Sequence, residues 1–176
     1  MTRTDVPSGG PDAPTGPSGL RGLRELAARH ALLPLRIFLG VTFVYAGLDK
    51  LTDSAFLSAT GSGSIGELMS GVRDTSAIPA MVDMALKAPV GFAVALAIGE
   101  LLVGLGVLAG LLTRIASVGG ALISLSLWLT VSWAVTPYYY GNDLIYLMAW
   151  TPLVLAGAPY LSLDSLIRSR RSRRTA

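Results

Sequence analysis

From residue 89 to residue 135 the chain carries only two charged side chains, Glu100 and Arg114. Nothing else in the sequence restricts the fold as much. A single helix over this stretch would run roughly 68 Å. The hydrocarbon core of a bilayer is about 30 Å thick and takes about 20 apolar residues to cross. The stretch therefore reads as two spans, 90–112 and 115–135, with a turn at 111–114. Two further apolar segments, 32–51 and 143–161, are of similar length. All four are poor in charge, although 32–51 holds Arg36, Asp49 and Lys50. Charged residues make up 14% of the chain, against about 25% in an ordinary soluble domain, and they concentrate in the two ends and one long loop.

The expected fold class is all-α: an integral membrane four-helix bundle, with a partly helical extracytoplasmic loop between helices 1 and 2. Residues 1–19, rich in Pro, Gly, Ser, Asp and Thr, read as a disordered tail. Residues 20–31, with Arg21, Arg24 and Arg29, read as a basic interfacial segment. The membrane domain is placed at 32–166 and a basic tail at 167–176. No room remains for a separate soluble domain.

Orientation follows from the placement of Lys and Arg. Arg3, Arg21, Arg24 and Arg29 precede the first span, Arg114 lies in the 2–3 turn, and Arg168, Arg170, Arg171, Arg173 and Arg174 follow the fourth. The opposite side holds Lys50, Arg73 and Lys87, offset by Asp49, Asp53, Glu67, Asp74 and Asp83. The positive-inside rule puts both termini in the cytoplasm of a multi-pass plasma-membrane protein. The net charge of +3 comes from juxtamembrane arginines, so it points to anionic lipid rather than nucleic acid.

The loop at 52–88 is long for a connector. Ser64 to Glu67 has the capping-box pattern, and Ile65, Leu68, Met69 and Val72 follow at helical spacing. Residues 79–87 read as a second short amphipathic turn. Together they form a cap on the outer end of the bundle.

The chain has no cysteine and a single histidine, His30. Disulfides, thiol redox chemistry and covalently attached haem are excluded, and no metal, haem or flavin site is evident. Functional candidates come instead from ionisable groups within apolar spans, which are costly and by default mark function. Glu100, in the middle of span two, is the candidate catalytic residue as a proton acceptor. It is equally the candidate partner of a bound head group or of a structural ion pair. On span one, Arg36, Gly40, Phe43, Gly47 and Lys50 share a face. On span two, Glu100, Gly104, Val107, Leu111 and Arg114 share another. These faces are expected to meet, making Arg36, Lys50, Glu100 and Arg114 the candidate ligand-binding set. Helical rise separates Lys50 from Glu100 by roughly 9 Å of depth and Arg36 from Glu100 by roughly 12 Å, so no particular ion pair is specified. A second glycine stripe, Gly99, Gly106 and Gly110, reads as helix packing, with Ser117, Gly120 and Ser124 on span three as its matching face. Asp143 suits the first turn of span four, or an outer polar cluster with Lys50 and Asn142. Trp133 and Tyr138 to Tyr140 read as an aromatic belt.

These residues resemble the DoxX-like membrane proteins, and among them the DoxD-type small subunit of thiosulfate:quinone oxidoreductase. The resemblance rests on Arg36-Ile-Phe-Leu-Gly40 and Tyr45-Ala-Gly47-Leu-Asp-Lys50-Leu51, then Ala88-Pro89 and Ile98-Gly99-Glu100-Leu-Leu-Val-Gly104. It continues through Gly110-Leu-Leu-Thr113-Arg114, Asn142-Asp143-Leu144-Ile145-Tyr146 and Leu161-Ser-Leu-Asp164. It implies a membrane subunit of a quinone-linked oxidoreductase in a bacterial plasma membrane, with quinone as cofactor and a second oxidoreductase subunit or a second copy as partner. Arg36, Lys50, Glu100, Arg114 and Asp164 would be its charged positions. The alternatives are a non-catalytic scaffold for a redox or stress-response complex and, less favoured, a small-molecule transporter.

Overall fold

A computed structural model describes residues 30–158 continuously, together with residues 22, 24, 26, 27, 162 and 163. The expected tails at 1–19 and 167–176, most of the basic segment, the last residues of the fourth span and Asp164 lie outside the described residues. All regular structure within them is helical, as the sequence predicts.

The first helix, α1, spans Leu33–Thr52 and has a proline in its first turn, where a missing N–H is least costly. It stops because Asp53 turns outward. The Asp53 Oδ1 accepts the N–H groups of Ala55 at 2.9 Å and Phe56 at 3.2 Å, which starts the cap.

The cap contains α2 (Ile65–Val72) and α3 (Pro79–Leu86). The Ser64 hydroxyl oxygen accepts the Glu67 N–H at 3.1 Å, half of the expected capping box. The other half is shifted by one residue, because Glu67 accepts from the Gly63 N–H at 2.7 Å. Arg73 grips Asp83 through two bonds of 2.5 and 3.0 Å and ties the end of α2 to α3. This contact holds the Asp83 carboxyl below its ordinary range and the Arg73 guanidinium above its own. Ile65, Met69, Val82 and Ala85 form a small core that closes over Ala93 of the next helix.

That helix, α4, runs Pro89–Ala109. Gly110 ends it at φ 66°, with the Leu111 N–H bonded to the Gly106 carbonyl at 2.9 Å and the Gly110 N–H to that of Val107 at 3.1 Å. This is a Schellman motif, and glycine is the residue that adopts its left-handed φ without steric cost. The turn expected at 111–114 is therefore real. It also overturns one expectation: Leu111 and Arg114 do not continue the Glu100 face, because the helix ends before them.

Helix α5 spans Thr113–Leu127 and continues through a π-turn, Trp128–Ser132. Within that turn the Leu129 carbonyl accepts the Ala77 N–H at 2.9 Å and the Ser76 hydroxyl at 3.2 Å, fastening the cap to α5. Helix α6 spans Asn142–Ala156 and ends at Gly157, φ 69°, shorter than the expected fourth span.

Helix α1 packs along α4, α5 along α6, and α4 along α5; α1 and α6 meet at few points. The α1–α4 contact is a glycine contact. A β-carbon on Gly47 would lie 2.6 Å from the Ala97 carbonyl oxygen, and one on Gly104 would lie 2.7 Å from the Val44 nitrogen. Gly99 and Gly106 face Ile123 and Ala116 of α5, so the second glycine stripe does serve packing. Its expected match is corrected: Gly120 of α5 receives the Trp150 ring of α6, and Ser117 and Ser124 are buried on that same face.

Among the described residues two helices, Pro89–Ala109 and Thr113–Ser132, are long and apolar enough to cross a membrane. Helix α1 has the length but carries Arg36, Asp49 and Lys50, and α6 has 15 residues.

Gly47→Val is expected to lower stability by about 1–3 kcal/mol through overpacking. Gly71→Ala, in open space on a helix, should raise it by about 0.5–1 kcal/mol. Thermal unfolding in detergent measures both, and an unchanged midpoint for Gly47→Val would contradict the α1–α4 contact.

Candidate functional site

Helices α1 and α4 run antiparallel, with Gly40 beside Gly104 and Gly47 beside Ala97 and Leu101. Side chains lean toward the N-terminus of their own helix. On antiparallel neighbours they therefore lean toward each other along the common axis. Lys50, near the end of α1, leans back into the packed region, and Glu100 on α4 leans out to meet it. The lysine ammonium donates to both carboxylate oxygens of Glu100, at 2.8 and 3.1 Å. Its third bond is long, 3.4 Å to the Ala46 carbonyl.

The pair is unevenly buried. The Glu100 side chain is 5% exposed and that of Lys50 is 23% exposed. The carboxylate side chain is sealed in the bundle, while the lysine side chain keeps some exposure. Asp143, in the first turn of α6, stands close enough for Lys50 to attract it and for Glu100 to repel it. The Ser132 hydroxyl donates to the other side of Asp143. The cluster thus brings together α1, α4, the π-turn and α6. The ammonium bonds one carboxylate and a second carboxyl group stands within electrostatic range, an arrangement suited to exchanging a proton or hydrogen-bonding a polar head group.

The predicted set divides. Lys50 and Glu100 come together, which the sequence left open. Arg36 is buried at the opposite end of α1, its Nη1 3.5 Å from where a β-carbon of Gly110 would sit. There it faces the C-terminal end of α4, whose carbonyls favour a cation. Fourteen residues of helix place it roughly 21 Å from Lys50 along α1. Arg114 lies at that same far end, its side chain running against Gly157. Neither belongs to the Glu100 cluster. Asp143 belongs to it as the expected outer polar group, and its carboxylate takes the Ser132 hydroxyl rather than capping α6. Ser132 was missed, since a serine six residues before the tyrosine run gives no signal of its own. Among the described residues no group of three or more His, Cys, Asp or Glu is placed to hold a metal ion.

Replacing Lys50 with Met leaves a buried carboxylate without its cation and should cost about 3 kcal/mol. Adding Glu100→Gln to that variant should recover part of the loss. A double-mutant cycle on unfolding free energy measures the coupling, and additive losses would show that the pair does not act as a unit.

The family model described as DoxX matches residues 31–133. Neither the curated proteins nor the solved structures yield a match. The matched region takes in α1 through the π-turn, with both members of the ion pair and Ser132, and stops short of α6 and Asp143. It covers more than half of the sequence, and its two apolar helices fit a membrane family. The chain belongs to the DoxX family.

Proposed function

We propose that this protein crosses the membrane four times, through α1, α4, α5 and α6, and serves as the membrane subunit of a quinone-linked oxidoreductase of the DoxD, thiosulfate:quinone type. The crossing is supported by which surfaces are apolar. Ile37, Phe38, Val41, Tyr45 and Leu48 on α1 are exposed, as are Leu102 and Leu105 on α4, Ile115 and Leu122 on α5, and Ile145, Met148 and Leu155 on α6. Arg36, Glu100, Thr113, Ser117 and Ser124 are buried. Apolar outside and polar inside is the distribution that lipid favours and water opposes. The arginine asymmetry then sets both termini in the cytoplasm of a bacterial plasma membrane, with the cap outside.

Single-cysteine labelling tests the topology cleanly, because the native chain has no cysteine. A membrane-impermeant maleimide added to intact cells should label position 62 in the cap and leave position 114 unlabelled until the cells are opened. The reverse pattern would invert the orientation, and equal labelling would remove the spans.

The observation that carries the functional reading is the Lys50–Glu100 pair, a partly exposed lysine fixed on a sealed carboxylate. A quinone head group needs hydrogen-bond donors for its carbonyl oxygens and a group to exchange protons with, inside an apolar slot. Lys50 supplies the donor, by exchanging its long bond to Ala46. Glu100 and Asp143 supply the proton-exchanging groups. Electrons would come through a second polypeptide, because the chain has no cysteine and one histidine from which to build a redox centre. Binding of a short-tailed benzoquinone to the purified protein in nanodiscs checks this. Wild type should bind, and Glu100→Gln and Lys50→Met should bind at least about ten-fold more weakly, the loss of a charge-assisted contact. No binding by wild type would sink the quinone reading and favour the scaffold.

A further inference from the structure

The cap holds a hollow of about 440 Å³ between the loop after α1, the first turns of α2 and the junction of α3 with α4. Ligand pockets span roughly 300–1,000 Å³, so the hollow has room for a small organic molecule. One wall is the chain from Ala59 to Ser62. Two glycines in the left-handed region, Gly61 at φ 106° and Gly63 at φ 79°, turn this wall back toward α2. The wall is fixed at several points. The Ile65 N–H donates to the Phe56 carbonyl at 3.0 Å and the Ser64 N–H to the Gly61 carbonyl at 3.1 Å. The Gly63 N–H donates to Glu67 at 2.7 Å. A β-carbon on Gly66 would overlap the Ala59 carbonyl, so wall and helix lie in direct contact.

The chemistry of the hollow is one-sided. Its lining side chains carry oxygen and no nitrogen: the hydroxyls of Thr60, Ser62 and Ser70 and the carboxylate of Glu67. Leu86 and Pro89 supply an apolar part. One oxygen of Glu67 accepts the Gly63 N–H, and among the described residues its carboxylate has no ion pair. The basic groups of the cap are engaged elsewhere. Arg73 bonds Asp74 and Asp83, and Lys87 attracts Asp83. The Ser70 hydroxyl donates its proton to the Gly66 carbonyl at 2.7 Å, which leaves its oxygen free to accept.

We propose that this hollow is a binding site for a primary ammonium on a short alkyl stem, with Glu67 as the counter-ion. The ammonium donates to Glu67 and to the hydroxyl oxygens, and the stem lies against Leu86 and Pro89. An anion finds no cationic side chain in the lining. A hard divalent cation takes six or more oxygen ligands, roughly, with several carboxylates among them, and here it finds one carboxylate. Two sources present the proposed group: a water-borne amine and the ethanolamine head group of a lipid. The site stands apart from the quinone reading, because Lys50, Glu100 and Asp143 take no part in its lining.

Isothermal titration of hexylammonium chloride into the purified full chain in dodecyl maltoside tests the site. Saturable binding is expected. Hexanol, with the same stem and no charge, should bind at least about ten-fold more weakly, the difference made by a charge-assisted hydrogen bond. Glu67→Gln should weaken hexylammonium by at least about the same factor. The glutamine carbonyl still accepts the Gly63 N–H, so the thermal midpoint should hold. Ser70→Leu puts a larger apolar group into the lining and should also weaken hexylammonium with the midpoint held. Asp74→Asn, which alters a carboxylate outside the hollow, should leave the affinity unchanged. Binding that ignores Glu67→Gln or Ser70→Leu, equal affinity for hexanol, or no binding by wild type would each overturn the proposal. An equal loss in Asp74→Asn would assign the attraction to diffuse charge and overturn it too. Dioleoyl-phosphatidylethanolamine added to the micelles separates the two sources with the site intact. Competition with hexylammonium assigns the site to the lipid head group, and unchanged affinity assigns it to a water-borne amine.

Discussion

A carboxylate in the middle of an apolar helix is the constraint on which the rest of this structure depends. Glu100 cannot be left on the outward face of α4 without either water or a cation. The cation arrives from α1, and it can arrive only if α1 lies very close. Gly47 and Gly104 make that approach possible, with carbonyl and amide groups of the facing helix where β-carbons would otherwise stand. The antiparallel arrangement does the remaining work, because Lys50 and Glu100 lean toward each other from offset levels. Glycine contact and ion pair are therefore one feature. Separating the helices by the thickness of a methyl group weakens both.

The cap follows from the same geometry. Helix α4 begins well before the level at which α1 ends, so its first turns stand above the paired region. Ala93 would be bare there without the Ile65, Met69, Val82 and Ala85 cluster that covers it. Arg73 and Asp83 lock the two cap helices together, and the Leu129 carbonyl in the π-turn anchors the connecting strand of chain to α5. The cap thus stabilises the end of α4 that α1 does not reach, and it fixes the π-turn from which Ser132 reaches Asp143.

What the sequence made legible was set by periodicity. The all-helical class, the turn beyond Gly110, both cap helices and the inward faces of α1 and α4 all follow from repeats of three and four residues and from caps. Phase fails where a helix ends. Leu111 and Arg114 were placed on the Glu100 face because helical phase was continued through a left-handed glycine that stops it. Depth estimates failed differently. They treated Lys50 and Glu100 as points on level helices, and so could not see that axial offset and side-chain lean cancel. Arg36 was grouped with Lys50 because they share a stripe, although sharing a stripe says nothing about 14 residues of separation along it. Ser132 was invisible, since its role depends on a π-turn that no local pattern announces. The proposed crossing of α1 and α6 rests on their apolar outer surfaces, since their composition and length alone fall short of the test that α4 and α5 pass.

The part of the molecule outside the matched family region changes how the pair should be understood. A site made by α1 and α4 alone would be a closed ion pair, balanced and with little reason to exchange anything. Helix α6 adds Asp143 beside it and sets Tyr146 and Trp150 along the same face, one and two turns further in. Asp143 takes the Ser132 hydroxyl beside the pair, and further in the Trp150 indole N–H is buried without an acceptor among the described residues. Helix α6 is held at that level by the bond from Ser132 to Asp143, and below it a few aromatic rings make its contact with α1.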